Sequence, residues 1–132
     1  MGKAPLAAVF GCSGLNLTAA ERAFFRECDP FGFILFARNI DHPDQVRRLT
    51  QDLRECVGRA EAPILIDQEG GRVQRLRPPH WAAIPPMARF GACYARDPEA
   101  GLEALDLAIG ILAQDCLSLG VDVDCLPVLD VP

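Results

Sequence analysis

The stretch Pro63-Ile64-Leu65-Ile66-Asp67-Gln68-Glu69-Gly70-Gly71-Arg72-Val73-Gln74-Arg75 decides how this chain is read. A short apolar strand ends in an acid, and two glycines and further charged groups follow at once. Parallel β/α proteins deliver polar groups in this way to the carboxyl ends of their strands, where such folds place their sites. The same unit recurs on both sides. Phe31 to Ala37 is continuously apolar apart from Gly32 and empties into Arg38-Asn39. Val121 to Leu126 leads into Pro127-Val128-Leu129-Asp130.

Helical patterns alternate with these strands. Leu6 to Phe10 reads as a first strand, followed by a turn-rich Gly11 to Asn16. Thr18, with Glu21 three residues on, forms a capping box for a helix over 19–27 that Asp29-Pro30 ends. Phe31 to Ala37 is predicted to be buried on both faces. Asp41 is expected to cap a second helix, with Pro43 and His42 in its first turn. Val46, Leu49, Leu53 and Val57 mark the buried face of that helix, and Arg47, Arg48, Asp52 and Glu55 its wetter side. The connection from Asp67 to Met87 is longer than usual, which points to a binding or lid role. Asp97-Pro98-Glu99 opens a third helix with Leu105, Ile109, Leu112 and Cys116 as its buried stripe, and Gly120 ends it. The order is β-α-β-α-β-α-β, with every link long enough for a right-handed crossover between parallel strands. Two architectures share that order: a doubly wound α/β sheet, and the N-terminal half of a TIM (β/α)8 barrel.

Composition narrows the function classes. The 132 residues suffice for one ordinary domain, and half are hydrophobic, which excludes a disordered chain. Eighteen acids against 13 Lys and Arg give a formal charge of −5, a balance that repels nucleic acid at long range. No apolar stretch is long enough for a membrane span, and the N-terminus lacks the pattern of a signal peptide. The six cysteines form no CxxC pair, and only two histidines are present, so no metal site is expected. Cysteines without a disulfide framework fit a reducing compartment, with the thiols acting as small buried hydrophobes.

The residues that could carry chemistry cluster in the opening stretch. Asp67, directly after a strand, either serves as a cap or an ion-pair partner for Arg72, or accepts hydrogen bonds from the neighbouring hydroxyls of a sugar. Glu69 is a second carboxylate, but it lies too close in sequence to Asp67 for the pair to be given the nucleophile and acid roles of a retaining glycosidase. Gly70-Gly71 lacks the spacing of a dinucleotide or phosphate loop and fits a tight turn. Arg75 is a candidate donor to substrate oxygens. His80-Trp81 reads as a proline-flanked loop packed on a rim, in preference to a sugar-stacking platform. Asp122, Asp124 and Asp130 flank the last strand, with Asp122 expected at the end opposite Asp130.

Three segments in order, Ile34-Leu35-Phe36-Ala37-Arg38-Asn39, Ile66-Asp67-Gln68-Glu69-Gly70-Gly71-Arg72-Val73-Gln74-Arg75 and Ile84-Pro85-Pro86-Met87, resemble the bacterial β-N-acetylhexosaminidases of glycoside hydrolase family 3. Gly120 to Val131 looks like the fourth-strand region of that family. The resemblance implies a TIM-barrel catalytic domain that removes terminal N-acetylglucosamine from peptidoglycan fragments in the cytoplasm by a retaining mechanism, without metal or organic cofactor. It implies a carbohydrate or muropeptide substrate and a monomeric intact protein. Asp67 and Arg75 would bind substrate, while Glu69, Gly70, Gly71 and Arg72 would support the loop. A complete barrel needs about 250 residues. Residues 1–132 are therefore expected to be a partial catalytic domain, truncated on its C-terminal side and inactive alone. By the same resemblance the acid/base histidine and the nucleophilic aspartate lie further on, and no residue present here is catalytic. β-Glucosidase specificity, phosphorolysis and a non-catalytic sugar-binding role stay open, as does an unrelated doubly wound nucleotide binder.

Overall fold

The structure, a computed structural model, describes residues 4–128. The elements run β1 (Leu6–Phe10), α1 (Ala19–Cys28), β2 (Pro30–Leu35), a 3-10 turn (Ala37–Asn39), α2 (Pro43–Val57), β3 (Ile64–Ile66), α3 (Met87–Tyr94), α4 (Pro98–Ser118) and β4 (Val123–Asp124). All four strands are parallel and lie in the order β1-β2-β3-β4. A doubly wound sheet reverses its strand order at a switch point. Here spatial order follows chain order, as in successive steps of a (β/α)8 barrel. This order separates the two architectures that the element pattern left open.

Local chemistry accounts for the boundaries. The Thr18 hydroxyl accepts from the Glu21 N–H at 3.1 Å, and Glu21 Oε2 accepts from the Thr18 N–H at 2.9 Å, which completes the capping box. Asp29 at φ 45° closes α1, and its N–H donates to the Phe25 carbonyl. At α2 the cap is His42 and not Asp41: His42 Nδ1 accepts from the Gln45 N–H at 3.4 Å, while Gln45 Oε1 takes the Asp41 N–H at 3.0 Å. The helix starts one residue later than expected because Gln45 reaches back past the cap. Strand β2 begins at Pro30 and stops at Leu35, short of the expected Ala37. There Asn39 draws the chain into a 3-10 turn, with its Oδ1 accepting the Phe36 N–H at 2.9 Å and its Nδ2 donating to the Cys12 and Gly14 carbonyls.

The core lies between the sheet and the helices. Phe33, Leu35, Val46, Leu53, Ile64 and Ile66 have no solvent exposure. Each such side chain contributes about 1.5–3 kcal/mol of burial. The other sheet face is open: Ile34 and Leu65, paired in register, are only half-buried, and their neighbour Val123 is 39% exposed. Phe31 is 51% exposed, so the expectation of a β2 buried on both faces is corrected.

Helix α3 was not expected. Its N-cap, Pro86, offers no side-chain acceptor and Gly91 sits mid-helix, so the sequence carries no start signal for it. It packs on α4 across Gly101, where a Cβ would stand 2.5 Å from Tyr94 Cα. The buried residues of α4 are consequently Gly101, Ala108, Leu112 and Cys116, while Leu105 is half-buried and Ile109 is 36% exposed. The four-residue stripe proposed for this helix is thus only partly right. Leu102, Leu107, Ile111 and Leu117 face solvent.

Candidate active site

The carboxyl ends of β3 and β4 carry the site. Asp67 leaves β3 with its Oδ2 2.8 Å from Arg75 Nη2, and both side chains keep about a quarter of their exposure (25% and 23%). The two residues singled out as substrate-binding are therefore brought together although eight positions apart. Arg72, the ion-pair partner expected for Asp67, does not take that place: it is exposed on the outside of the loop, where its carbonyl accepts from Arg77 Nη2 at 3.3 Å.

Two glutamines that the sequence reading passed over hold this geometry. Gln68 is fully buried; its Oε1 accepts from the Arg75 N–H at 2.8 Å and the Leu76 N–H at 3.0 Å, and its Nε2 donates to the Leu76 carbonyl at 3.1 Å. Gln74 Nε2 donates to the Leu76 and Ala82 carbonyls at 2.6 Å, and its Oε1 accepts the Ile84 N–H at 3.1 Å. Leu76, Trp81 and Ile84 are buried beneath. The connection is thus a compact, internally bonded loop of the kind that carries function. A visible signal was the spacing itself: amides six residues apart that bracket a glycine pair and flank buried apolar positions.

Gly70 and Gly71 sit at φ 84° and 59°. A Cβ on either would stand 2.7 Å from Pro85 O or Pro86 Cβ. Both sites need glycine for conformation and for space, which matches the tight-turn reading. The Glu69 N–H donates to the Val73 carbonyl at 2.8 Å and the Gly71 N–H to the Ile84 carbonyl at 2.7 Å, closing the turn.

The neighbours of Asp67 make the mouth acidic. Asp124 Oδ1 accepts the Gln68 N–H at 2.9 Å. Burial pushes the Asp124 carboxyl upward, the Gln68 N–H opposes this, and the charges of Asp67 and Glu69 raise it further. Burial likewise raises the Cys125 thiol, reinforced by the Asp67 carboxylate. Cys116, behind them, is pushed up to about 12 by burial, then by Asp124 and Asp115. Such thiols are poor nucleophiles. On the cationic side, the Arg38 guanidinium lies 4.7 Å from the Phe36 ring centre and its Nε donates to the Cys12 carbonyl, while Arg75 approaches the same ring at 6.0 Å. Arg75 Nε is buried without a hydrogen-bond partner among the described residues. A carboxylate and a guanidinium fixed side by side suit a ligand that both donates and accepts hydrogen bonds, as a polyol does.

The remaining candidates lie elsewhere. Trp81 is only 8% exposed, with the exposed His80 edge-on to it at 5.7 Å, so the tryptophan packs under the loop and offers no open stacking face. Asp122 is at the amino-terminal end of the sheet, where Oδ2 takes Arg54 Nη2 at 2.6 Å and the Ile64 N–H at 3.0 Å. Asp130 lies outside the described residues. A largely apolar cavity of about 660 Å³ opens between α3, α4 and residues 124–128, with Asp124 in its lining. No helix among the described residues is long and apolar enough to cross a membrane.

Comparison with known proteins agrees with this fold. The beta-hexosaminidase of Xanthomonas axonopodis pv. citri (strain 306) is 40% identical over 124 residues, which cover 92% of this chain and 36% of that protein. That of Xylella fastidiosa (strain 9a5c) is 39% identical over the same share. The chain thus spans little more than a third of these relatives. Among solved structures, NagZ from Neisseria gonorrhoeae in complex with N-trifluoroacetyl-D-glucosamine superposes with a TM-score of 0.86 at 28% identity, over 97% of this chain and 39% of that one. A family 3 beta-N-acetylglucosaminidase from Paenibacillus sp. str. FPU-7 gives 0.79 at 30% identity, over 93% and 23%. The model of the glycosyl hydrolase family 3 N terminal domain matches residues 12–132, and the chain belongs to that family.

Proposed function

We propose that these residues form the sugar-gripping part of a β-N-acetylglucosaminidase, active in a protein of the length of its relatives. The observation that carries this reading is the Asp67–Arg75 pair, 2.8 Å apart at the carboxyl end of β3 and backed by fully buried Gln68. Asp67 would accept from hydroxyls of a terminal N-acetylglucosamine, and Arg75 would donate to its oxygens. The negative field of Asp67, Glu69 and Asp124 favours the positive charge that develops on a sugar ring as its glycosidic bond breaks.

In the retaining mechanism that the family resemblance implies, an aspartate attacks the anomeric carbon and a histidine protonates the leaving oxygen, then activates water. By the same resemblance, neither role falls to a described residue of this chain. Asp67 is held by Arg75, and His42 caps α2. The substrate would be a peptidoglycan fragment handled in the cytoplasm by a monomeric protein. The six free cysteines fit a reducing setting of that kind.

The test is a titration of the 132-residue protein with N-acetylglucosamine, alongside an assay on a chromogenic β-N-acetylglucosaminide. Saturable binding that Asp67→Ala and Arg75→Ala abolish, with no turnover, is the expected result. Binding indifferent to both substitutions would refute the site, and turnover at the level of a full-length relative would refute the division of roles.

A further inference from the structure

Strand β4 ends, as a strand, at Asp124. Its backbone continues the ladder only as far as Cys125, whose N–H donates to the Ile66 carbonyl at 2.8 Å. The next donor on the β3 side is the Gln68 N–H, and a side chain takes it: Asp124 Oδ1, at 2.9 Å. The Gln68 side chain, at zero exposure, then holds the backbone N–H of both Arg75 and Leu76. Arg75 in turn holds Asp67. One chain of hydrogen bonds therefore runs from β4 through Gln68 to the ion pair.

We infer that Asp124 is a positioning residue: its carboxylate oxygen substitutes for the missing strand backbone, sets the orientation of Gln68, and through it fixes Arg75 against Asp67. The inference rests on the reading of Asp67 and Arg75 as the sugar-binding pair. Asp124 itself touches neither of them in a hydrogen bond. A charge-assisted bond to a backbone N–H is among the stronger ones. A purely electrostatic role is the wrong account, because a third carboxylate beside Asp67 and Glu69 adds repulsion.

Two variants separate acceptor from charge. Asp124→Asn keeps an oxygen acceptor and removes the charge. Asp124→Leu keeps the branched shape, removes the acceptor, and places its added bulk in the apolar cavity that includes Leu112 and Leu126. The readouts in the 132-residue protein are amide hydrogen exchange at Gln68, Arg75 and Leu76, the NMR signal of the Arg75 Nε–H, and the affinity for N-acetylglucosamine. In Asp124→Leu, exchange at Gln68 should rise about tenfold or more, the Arg75 Nε–H signal should shift, and sugar affinity should fall by a similar factor, with α2 amides unaffected. Asp124→Asn should restore all three to within about threefold of the parent protein. Unchanged exchange and Arg75 signal in Asp124→Leu would overturn the inference, as would an Asn variant as loose as the Leu variant. If Asp124→Leu does not fold, Asp124→Ala takes its place as the acceptor-free variant: faster exchange at Gln68 than in Asp124→Asn is expected, and equal exchange in the two overturns the inference. If the parent protein binds no sugar while exchange and the Arg75 signal follow the expected order, positioning stands and the sugar-binding reading falls.

Discussion

Replacing Gln68 with leucine removes an amide without opening a cavity, which makes it a clean measure of what holds the loop. The parent side chain accepts from the Arg75 and Leu76 N–H groups and donates to the Leu76 carbonyl. That carbonyl keeps its bond to Gln74 Nε2 at 2.6 Å, so its loss is partly covered. The two N–H groups have no such reserve, and Leu76 is fully buried. An orphaned buried donor costs about 1–3 kcal/mol; the Leu76 N–H meets that cost in full, and the Arg75 N–H, on a part-buried residue, adds less. Domains of this kind have about 5–15 kcal/mol in all, so the change is a large share of the whole. Urea unfolding followed by far-UV circular dichroism measures the global loss, and hydrogen exchange at Arg75 and Leu76 measures the local one. Gln51→Leu is the control: Gln51 is exposed and bonds only to Glu55, so its replacement should fall within about 0.5 kcal/mol of neutral. If the loop detaches as a unit, the global loss stops at the contribution of the loop while local protection vanishes. A Gln68→Leu protein that loses less than about 1 kcal/mol and keeps its protection at Arg75 and Leu76 would refute the reasoning.

Other perturbations test neighbouring steps. Gly70→Ala must place a Cβ 2.7 Å from Pro85 O at φ 84°, so a loss of about 2 kcal/mol or more is expected in thermal melts, against a few tenths at Gly14, where a Cβ meets nothing within 4 Å. Burial alone would raise the Glu21 carboxyl, but hydrogen bonds from Thr18 and Ser13 outweigh it and hold the group at about 2. Its folded pKa is below its unfolded value, so its stabilisation is present above pH about 4.5 and is lost as the pH falls toward about 2. Carbon-detected NMR titration of Glu21 checks this, and an unshifted midpoint would contradict it. The open apolar face of α4 is expected to drive concentration-dependent association, seen by sedimentation velocity, that Leu107→Lys and Leu117→Lys together reduce. A parent protein that stays monomeric at high concentration would contradict it.

Much of the fold was legible because its signals are local. The capping box at Thr18, the Asp97-Pro98 start of α4 and the strand ahead of Asp67 each depend on residues within a few positions of one another. Asp67 stands out locally as an acid after a buried strand, whereas the choice of Arg75 as its companion came from the family resemblance of the whole Ile66-to-Arg75 run. The misses are non-local. Asn39 ends β2 early by bonding to Cys12 and Gly14, 25 or more positions away. Helix α3 exists through its packing on α4, and that packing moved part of the buried stripe of α4.

By itself, then, the sequence determined the alternation of strands and helices and the glycine turn, because periodicity, caps and φ requirements act over a single turn or strand. Only the tertiary structure decided that the strands run in unbroken spatial order, that Arg75 and not Arg72 faces Asp67, and that buried Gln68, steadied by Asp124 56 positions on, sets their separation. The physical reason is that a buried amide or carboxylate takes its meaning from which backbone groups are left without partners, and those groups are known only once the strands have been brought side by side.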